Sequence, residues 1–432
     1  MSSLPNTSVA LPVSVALIGV GGYGEHHLRC LRALESEGMV RLEAVADPSP
    51  HLHPETHASL TASGVRWYPD YRQLLGDEPR LGLVVIATPI HLHEPMTRAA
   101  LARPGLHVLL EKPPVPTLAQ LHALIAADPD TRVHVGFQMV AYPAVRRLQG
   151  WLAEGRLGEL RRITATAVWP RDDLYYRRAG WAGRMVTDAG EPVFDGPATN
   201  ALAHLAHNVM LLGSHGHKGD GVKVEGRFTR PALVRGEFRR ARRDLQSYDA
   251  ACITGRLRSG VDFGFAAAHC SRHDRPFTIH LQGSAGEATI GSNGGTLRAS
   301  FAPGEEYDNR FNLRLHRETL ERIRRGEPPL TSLRDCLGYS ELTCGGLLSS
   351  GGVHGFSEEC VAPGEPGASG VWHVEGLAEA VDRLRTTGQS WSEQDTAWGP
   401  APSVPLDPAG IDPGNFDLVA PARRPAGQAS TR

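Results

Sequence analysis

The sequence predicts an α/β protein in two parts: a parallel sheet doubly wound by helices, then a second α/β domain on an open, mostly antiparallel sheet. Three observations predict it. Short apolar runs alternate with helical stretches through the first 140 residues. The first of these runs passes straight into a glycine-rich turn. From about residue 222 onward, apolar runs follow one another with only short polar turns between them, the pattern of an antiparallel sheet.

Val13–Val20 reads as the first strand, leading into Gly19-Val20-Gly21-Gly22-Tyr23-Gly24 and a helix over 25–37. Glycines so placed answer a physical need. The first makes a tight turn, the second lets a pyrophosphate approach the backbone, and the third lets helix pack on strand. The helix N-terminus offers its N–H groups to the anion. A second strand over 42–46 ends at Asp47, where a carboxylate accepts the ribose hydroxyls of an adenosine half. Strand, loop, helix, strand and acid in this order predict dinucleotide binding. Asp47 repels a 2′-phosphate, and Pro48-Ser49-Pro50 brings no arginine to receive one, so NAD is favoured over NADP.

Strands over 83–87, 108–110 and 133–137 complete the first domain. Ligands of open α/β sheets bind outside the carboxyl ends of the strands. That places Thr88, Pro89, His91, His93, Glu111, Lys112 and Gln138 with Gly19, Gly21, Gly22, Tyr23, Gly24 and Asp47 in the cofactor-binding set. Glu111-Lys112-Pro113 closes the run Leu106–Leu110. The proline biases Lys112 toward extended backbone, which leaves an amine just past a sheet edge and makes Lys112 a catalytic candidate.

A chain of 432 residues is long enough for two cores; its divisions read as 11–140, 141–350 and a loop, helix and Pro/Gly-rich tail over 351–432. A net charge of -2 gives no argument for a nucleic-acid or membrane-surface partner. The five arginines within 235–243 read as a solvated loop between strands. Six scattered cysteines without C-x-x-C pairs argue against a disulfide framework and a zinc site, and fit a reducing cytoplasm. The histidine pairs His51/His53, His91/His93, His204/His207 and His215/His217 lack nearby acidic or thiolate ligands, so no metal is expected. Nothing resembles a leader or a membrane span.

Beyond this reading, the glycine loop, the A-T-P-x-x-x-H segment Ala87–His93 and G-L-H-V-L-L-E-K-P at Gly105–Pro113 resemble the Gfo/Idh/MocA oxidoreductases, the family of glucose-fructose oxidoreductase and inositol dehydrogenase. Val135-Gly136-Phe137-Gln138, Gly155–Glu159 and Tyr175-Tyr176 with Trp181 continue the likeness to about residue 349. The resemblance implies a Rossmann domain followed by a domain whose sheet commonly joins subunits, hence a homodimer or homotetramer. It also implies oxidation of a secondary hydroxyl of a sugar or cyclitol, or reduction of the ketone. The alternatives are an enzyme that retains NAD for net epimerisation, elimination or glycoside cleavage, and a non-catalytic sensor of sugar or dinucleotide.

The family's catalytic set is the lysine of E-K-P with a D-x-x-x-H pair on a helix. A helix over 196–212 is predicted here by Pro197 near its start and Gly213 at its end. Leu202, Leu205, Val209 and Leu212 form its core stripe, while Asn200, His204, His207 and Leu211 share another face. His204 matches the family's histidine; Asn200 stands where the family has aspartate. Lys112, His204 and Asn200 are therefore the catalytic candidates. Tyr175, Tyr176, Trp181, Arg184, Asp195 and His207 are the candidates for substrate contact, aromatic faces meeting the C–H side of a ring and polar groups reading its hydroxyls. Strands over 222–228, 233–238, 250–257, 261–268, 277–282 and 287–290 follow, then helices over 312–325, 333–348 and 374–385; from Ala397 a surface arm is expected.

Overall fold

The computed structural model describes residues 12–216, 227–308, 313–364, 370–416 and 418. In chain order the elements run β1 (Val13–Ile18), α1 (Gly24–Ser36), β2 (Val40–Ala46), α2 (Pro54–Ala62), β3 (Arg66–Tyr68), α3 (Tyr71–Asp77), β4 (Leu83–Ile86), α4 (His93–Leu101), β5 (His107–Leu110), α5 (Leu118–Ala127) and β6 (Val133–Val135). There follow α6 (Pro143–Ala153), β7 (Leu160–Val168), α7 (Asp173–Arg177), α8 (Ala203–Gly213), β8 (Pro231–Arg240), β9 (Ala250–Leu257), β10 (Asp262–Ala268), β11 (Arg275–Gly283), β12 (Glu287–Gly291), β13 (Thr296–Ala299) and β14 (Ala302–Glu306). The last are α9 (Arg314–Arg325), α10 (Leu337–Ser350), β15 (Val353–Gly355) and α11 (Leu377–Thr387). They form two compact units, one from residues 1–115, 120–141 and 310–336, the other from 116–119, 142–309 and 337–432.

The first unit is a six-stranded parallel sheet in the order β3-β2-β1-β4-β5-β6. Its central strands are buried on both faces, Leu83–Ile86 throughout, as a doubly covered parallel sheet requires. The short edge strand β3 is an addition to the predicted set. Residues 310–336 also join this unit, although the sequence assigned them to the second domain. The cause is α9, which buries Leu315, His316, Thr319, Leu320 and Ile323 along one face and stops at the left-handed Gly326. From this helix Arg317 bonds the Glu37 carboxylate just past α1 at 3.0 Å.

The second unit carries a nine-stranded sheet in the order β14-β13-β12-β11-β7-β10-β9-β8-β15. Every pairing is antiparallel except β7 with β10 and β8 with β15. α10 lies so close to β8 that a Cβ on Gly236 would meet the Gly346 carbonyl oxygen at 2.0 Å. The strand expected over 222–228 falls mostly outside the described residues.

Two expectations change in this unit. The arginine-rich run is not a solvated loop: it lies on β8 and just beyond it, where Arg239 and Arg242 are buried. Arg239 donates to the Gly399 carbonyl at 2.7 Å, and Arg242 donates to the Asp244 carboxylate at 3.0 Å and to that of Asp173. From Ala397 on, the described residues are not a surface arm either: Trp398 and Ala401 are buried. Leu377, Val381, Leu384, Trp391 and Trp398 enter one core with Val168, Ala266 and Cys252 of the sheet, and Val234 exchanges two 2.9 Å backbone bonds with Leu406. Proline and glycine set its turns, but burial of two tryptophans fixes its place.

Trp391 is fully buried, so Trp391→Ala should cost about 3–5 kcal/mol of stability, read as a lower urea midpoint. His134 on β6 has its pKa lowered from 6.5 to about 3, first by burial and then by His107 and Arg322. An unfolded chain then takes up that proton before the folded one as pH falls. His134 should contribute about 1.4 kcal/mol per pH unit to the stability lost from about pH 6.5 toward pH 3, and His134→Gln should make the slope shallower by about that amount in urea titrations run between about pH 4 and 6.

Candidate active site

In the first unit the turn between β1 and α1 is built by close packing. A Cβ on Gly24 would lie 2.2 Å from the Gly19 carbonyl oxygen, and one on Gly19 would lie 2.7 Å from that of Ala87. Gly19 also holds φ +86°, which L side chains rarely adopt. Around Gly22, by contrast, nothing stands within 4 Å of the Cβ position, while a Cβ on Gly21 would lie 3.0 Å from the His53 ring, so the open side of the loop is at Gly22. The N-terminus of α1 has no side-chain cap.

Asp47 follows β2 and closes over this loop. One carboxylate oxygen accepts from Val20 N–H at 3.1 Å and the other from Ser49 N–H at 2.9 Å. Tyr23 donates to the Gln138 side-chain oxygen at 2.9 Å, which ties the glycine loop to the end of β6. These residues fit NAD: an open backbone cradle, a helix N-terminus and an acid set beside it.

Two of the expected cofactor contacts turn inward instead. His93, at the start of α4, places Nδ1 2.9 Å from the Pro113 carbonyl and Nε2 2.9 Å from that of Thr88. Burial lowers its pKa while both carbonyls oppose the shift. Glu111 is buried, with Oε1 2.9 Å from His27 Nε2, and His27 Nδ1 lies 2.8 Å from His316 Nε2. An ionised carboxylate only accepts, so His27 donates from Nε2 in its contact with Glu111. Burial, reinforced by His27, holds the His316 pKa well below the ordinary value, which keeps that ring neutral. The chain anchors the E-K-P segment from α1 and α9. The half-buried Lys112 comes next, its backbone N–H 3.3 Å from Glu111 Oε2 and its bond to Pro113 cis.

In the second unit the helix expected over 196–212 is interrupted. Pro197–Ala201 forms a π turn, Leu202 leaves helical geometry, and α8 runs from Ala203. Gly196 is extended there, and a Cβ on it would strike the Tyr248 ring at 2.3 Å. The wider turn sets Asn200 over Asp195, with Nδ2 donating to Oδ1 at 2.8 Å. His204 sits partly exposed in the first turn of α8.

Tyr175, Trp181 and Asp195 gather around Arg178, which the sequence reading missed. Its guanidinium lies 3.7 Å from the Tyr175 ring centroid, 4.8 Å from that of Trp181 and 3.6 Å from the Asp195 carboxylate. The signal was there: Arg178 follows Tyr175 by three residues, a helical neighbour spacing. Arg171 faces Tyr175 from another side at 4.9 Å, and the buried His269 ring lies 5.7 Å from it. Burial, with Arg171 next, lowers the His269 pKa to about 3. Tyr176 is drawn away toward Arg242, 5.0 Å from its centroid. Arg184 pairs with Asp188 at the surface. His207 is fully buried against Phe228 at 4.6 Å, and burial holds its pKa well below normal, so it leaves the stripe it was expected to share with His204.

Among the described residues no three His, Cys, Asp or Glu side chains cluster as a metal site, and no helix is long and apolar enough to cross a membrane.

Comparison with known proteins adds to this geometry. The levoglucosan dehydrogenase of Pseudarthrobacter phenanthrenivorans is 31% identical over 170 residues, 37% of this chain and 42% of that one. The dTDP-3,4-didehydro-2,6-dideoxy-alpha-D-glucose 3-reductase of Actinomadura kijaniata is 27% identical over 192 residues, 43% of this chain and 55% of that one. The chain thus spans about half the length of these curated relatives. Among solved structures, the WlbA dehydrogenase from Chromobacterium violaceum, in complex with NADH and UDP-GlcNAcA, aligns with a TM-score of 0.66 at 19% identity, covering 81% of this chain and 96% of that one. At that identity the likeness is one of fold. Residues 13–137 match the family model for the GFO_IDH_MocA group, described as an oxidoreductase family with an NAD-binding Rossmann fold. In that stretch the chain is similar to the Gfo/Idh/MocA oxidoreductases.

Proposed function

We propose that the chain is an NAD-dependent oxidoreductase that oxidises a secondary hydroxyl of a sugar or cyclitol, or reduces the corresponding ketone. The observation that carries this reading is the seating of Lys112. A lysine stands at the carboxyl end of β5 on a segment locked by the buried Glu111–His27–His316 chain, in a unit whose glycine loop and Asp47 fit NAD. A surface lysine needs no such foundation. The two curated relatives, a levoglucosan dehydrogenase and a sugar-nucleotide 3-reductase by name, support the substrate class.

The chemistry asked of the protein is modest. A carbinol becomes a ketone by losing a hydride from carbon and a proton from oxygen. Bound NAD would accept the hydride at C4 of its nicotinamide. His204 would take the proton, a task suited to an imidazole acting as general base. Lys112, as an ammonium, would stabilise negative charge growing on the oxygen. Asn200 would hold the hydroxyl by hydrogen bonding, since an amide carries no charge and takes no proton.

Mixing the protein with NAD and a panel that includes levoglucosan and myo-inositol should produce NADH, followed by its absorbance, with at least one member. Lys112→Ala should still bind NAD, by fluorescence titration, and lose at least ~100-fold in turnover. A variant that binds NAD and turns over as fast as the parent would remove Lys112 from the chemistry. NADP should bind more weakly than NAD, and Asp47→Ala should narrow that difference.

A further inference from the structure

Asp195 is buried, 2% accessible, and so far has no task beyond contact. Its two oxygens are engaged from three directions. Oδ2 accepts from Gly183 N–H at 2.7 Å and lies 3.6 Å from Arg178, while Oδ1 accepts from Asn200 Nδ2 at 2.8 Å. A buried ionised carboxylate survives only where donors surround it, and these supply the need.

The bond to Asn200 has a directional consequence. A carboxylate cannot donate, so the Asn200 amide must turn its NH2 toward Asp195, and its carbonyl oxygen is then held on the opposite side. The orientation of an amide, which is otherwise free to flip, is settled by chemistry. The π turn at 197–201 is what permits this, because it moves residue 200 off the regular helical path while His204 stays on α8.

We propose that Asp195 is a positioning residue for the reaction: it fixes Asn200 as a hydrogen-bond acceptor toward the substrate hydroxyl and supplies, from behind the amide, the negative charge that residue 200 lacks. The inference rests on the oxidoreductase reading and adds to it a two-residue unit in which charge and contact are divided. Position 200 touches substrate; position 195 carries the charge. The groups that face the pair are Arg178 beyond the end of α7, Tyr175 and Tyr176 on α7, Tyr248 before β9, and the Gly183 N–H. His204 follows Asn200 by four residues.

The test is a charge swap. Asp195→Asn sets two NH2-bearing side chains against each other, and Asn200→Asp sets two carboxylates against each other. The double variant Asp195→Asn/Asn200→Asp restores one carboxylate and one amide in the same place. With whichever of levoglucosan or myo-inositol the parent oxidises, Asp195→Asn should lose at least ~10-fold in kcat while its NAD affinity stays within about twofold. Asn200→Asp should acquire an added ionisation, with activity falling as pH rises and the shared proton leaves the carboxyl pair. The double variant should recover most of the loss and lose that ionisation. A kcat for Asp195→Asn equal to the parent's, or a double variant no better than the worse single, would overturn the proposal.

Melting temperatures of the same four proteins separate this from the wider reading. At pH 8 each single should melt at least about 2 °C below the parent and the double should regain most of it. A parent inert on the whole panel would sink the dehydrogenase reading; the fixed pair would then be upheld by that recovery and overturned by strictly additive shifts.

Discussion

The first unit depends on an exclusion: between β1, α1 and the end of β4 there is no room for even one methyl group. Gly24 sits against the Gly19 carbonyl, and Gly19 against that of Ala87. This contact sets how α1 leaves the sheet, and α1 in turn delivers His27 to Glu111. A methyl at either glycine would therefore move more than a loop. It would shift the anchor of a segment 84 residues further along, the one that ends in Lys112.

The second unit solves a different problem, that of burying charge. Asp195, Arg239, Arg242 and Asp249 are nearly sealed from water. Asp249 accepts from the backbone N–H groups of Ala241 and Arg242 at 2.8 and 3.1 Å, yet burial still raises its pKa to about 6. Such groups contribute little net stability when paired but are expensive when stranded, so they select one arrangement of the loops that bear them. Arg242 reaches Asp173 at the start of α7, and Arg178 just beyond that helix reaches Asp195. The aromatic cluster around Tyr175 is thus positioned by ion pairs as much as by apolar packing.

What the sequence disclosed and what it hid follow from the range of the interactions. Alternating apolar runs gave five of the parallel strands, because burial on both faces leaves a continuous apolar signature. The sixth, Arg66-Trp67-Tyr68, is too short and too polar to carry one. The glycine turn and Asp47 were legible because their geometry is local. The inward turn of Glu111 was not, since its partners lie 84 residues away and, through His27, a further 289. Likewise the helix start at Pro197 was readable, but its interruption was not: the π turn depends on Gly196 fitting under Tyr248, a residue from another part of the unit. His207 looked like a partner of His204 on an ideal helix, and only packing against Phe228 shows that face to be interior.

The segment that carries Trp391 and Trp398 has a consequence for the order of assembly. Domains generally fold as units while the chain emerges from the ribosome, N-terminal portions first. Here α9, in the first unit, is made long after β6, and the second sheet receives Leu384 and Trp391 only when most of the chain has been translated. Each unit is thus completed only by a part of the chain that is translated late.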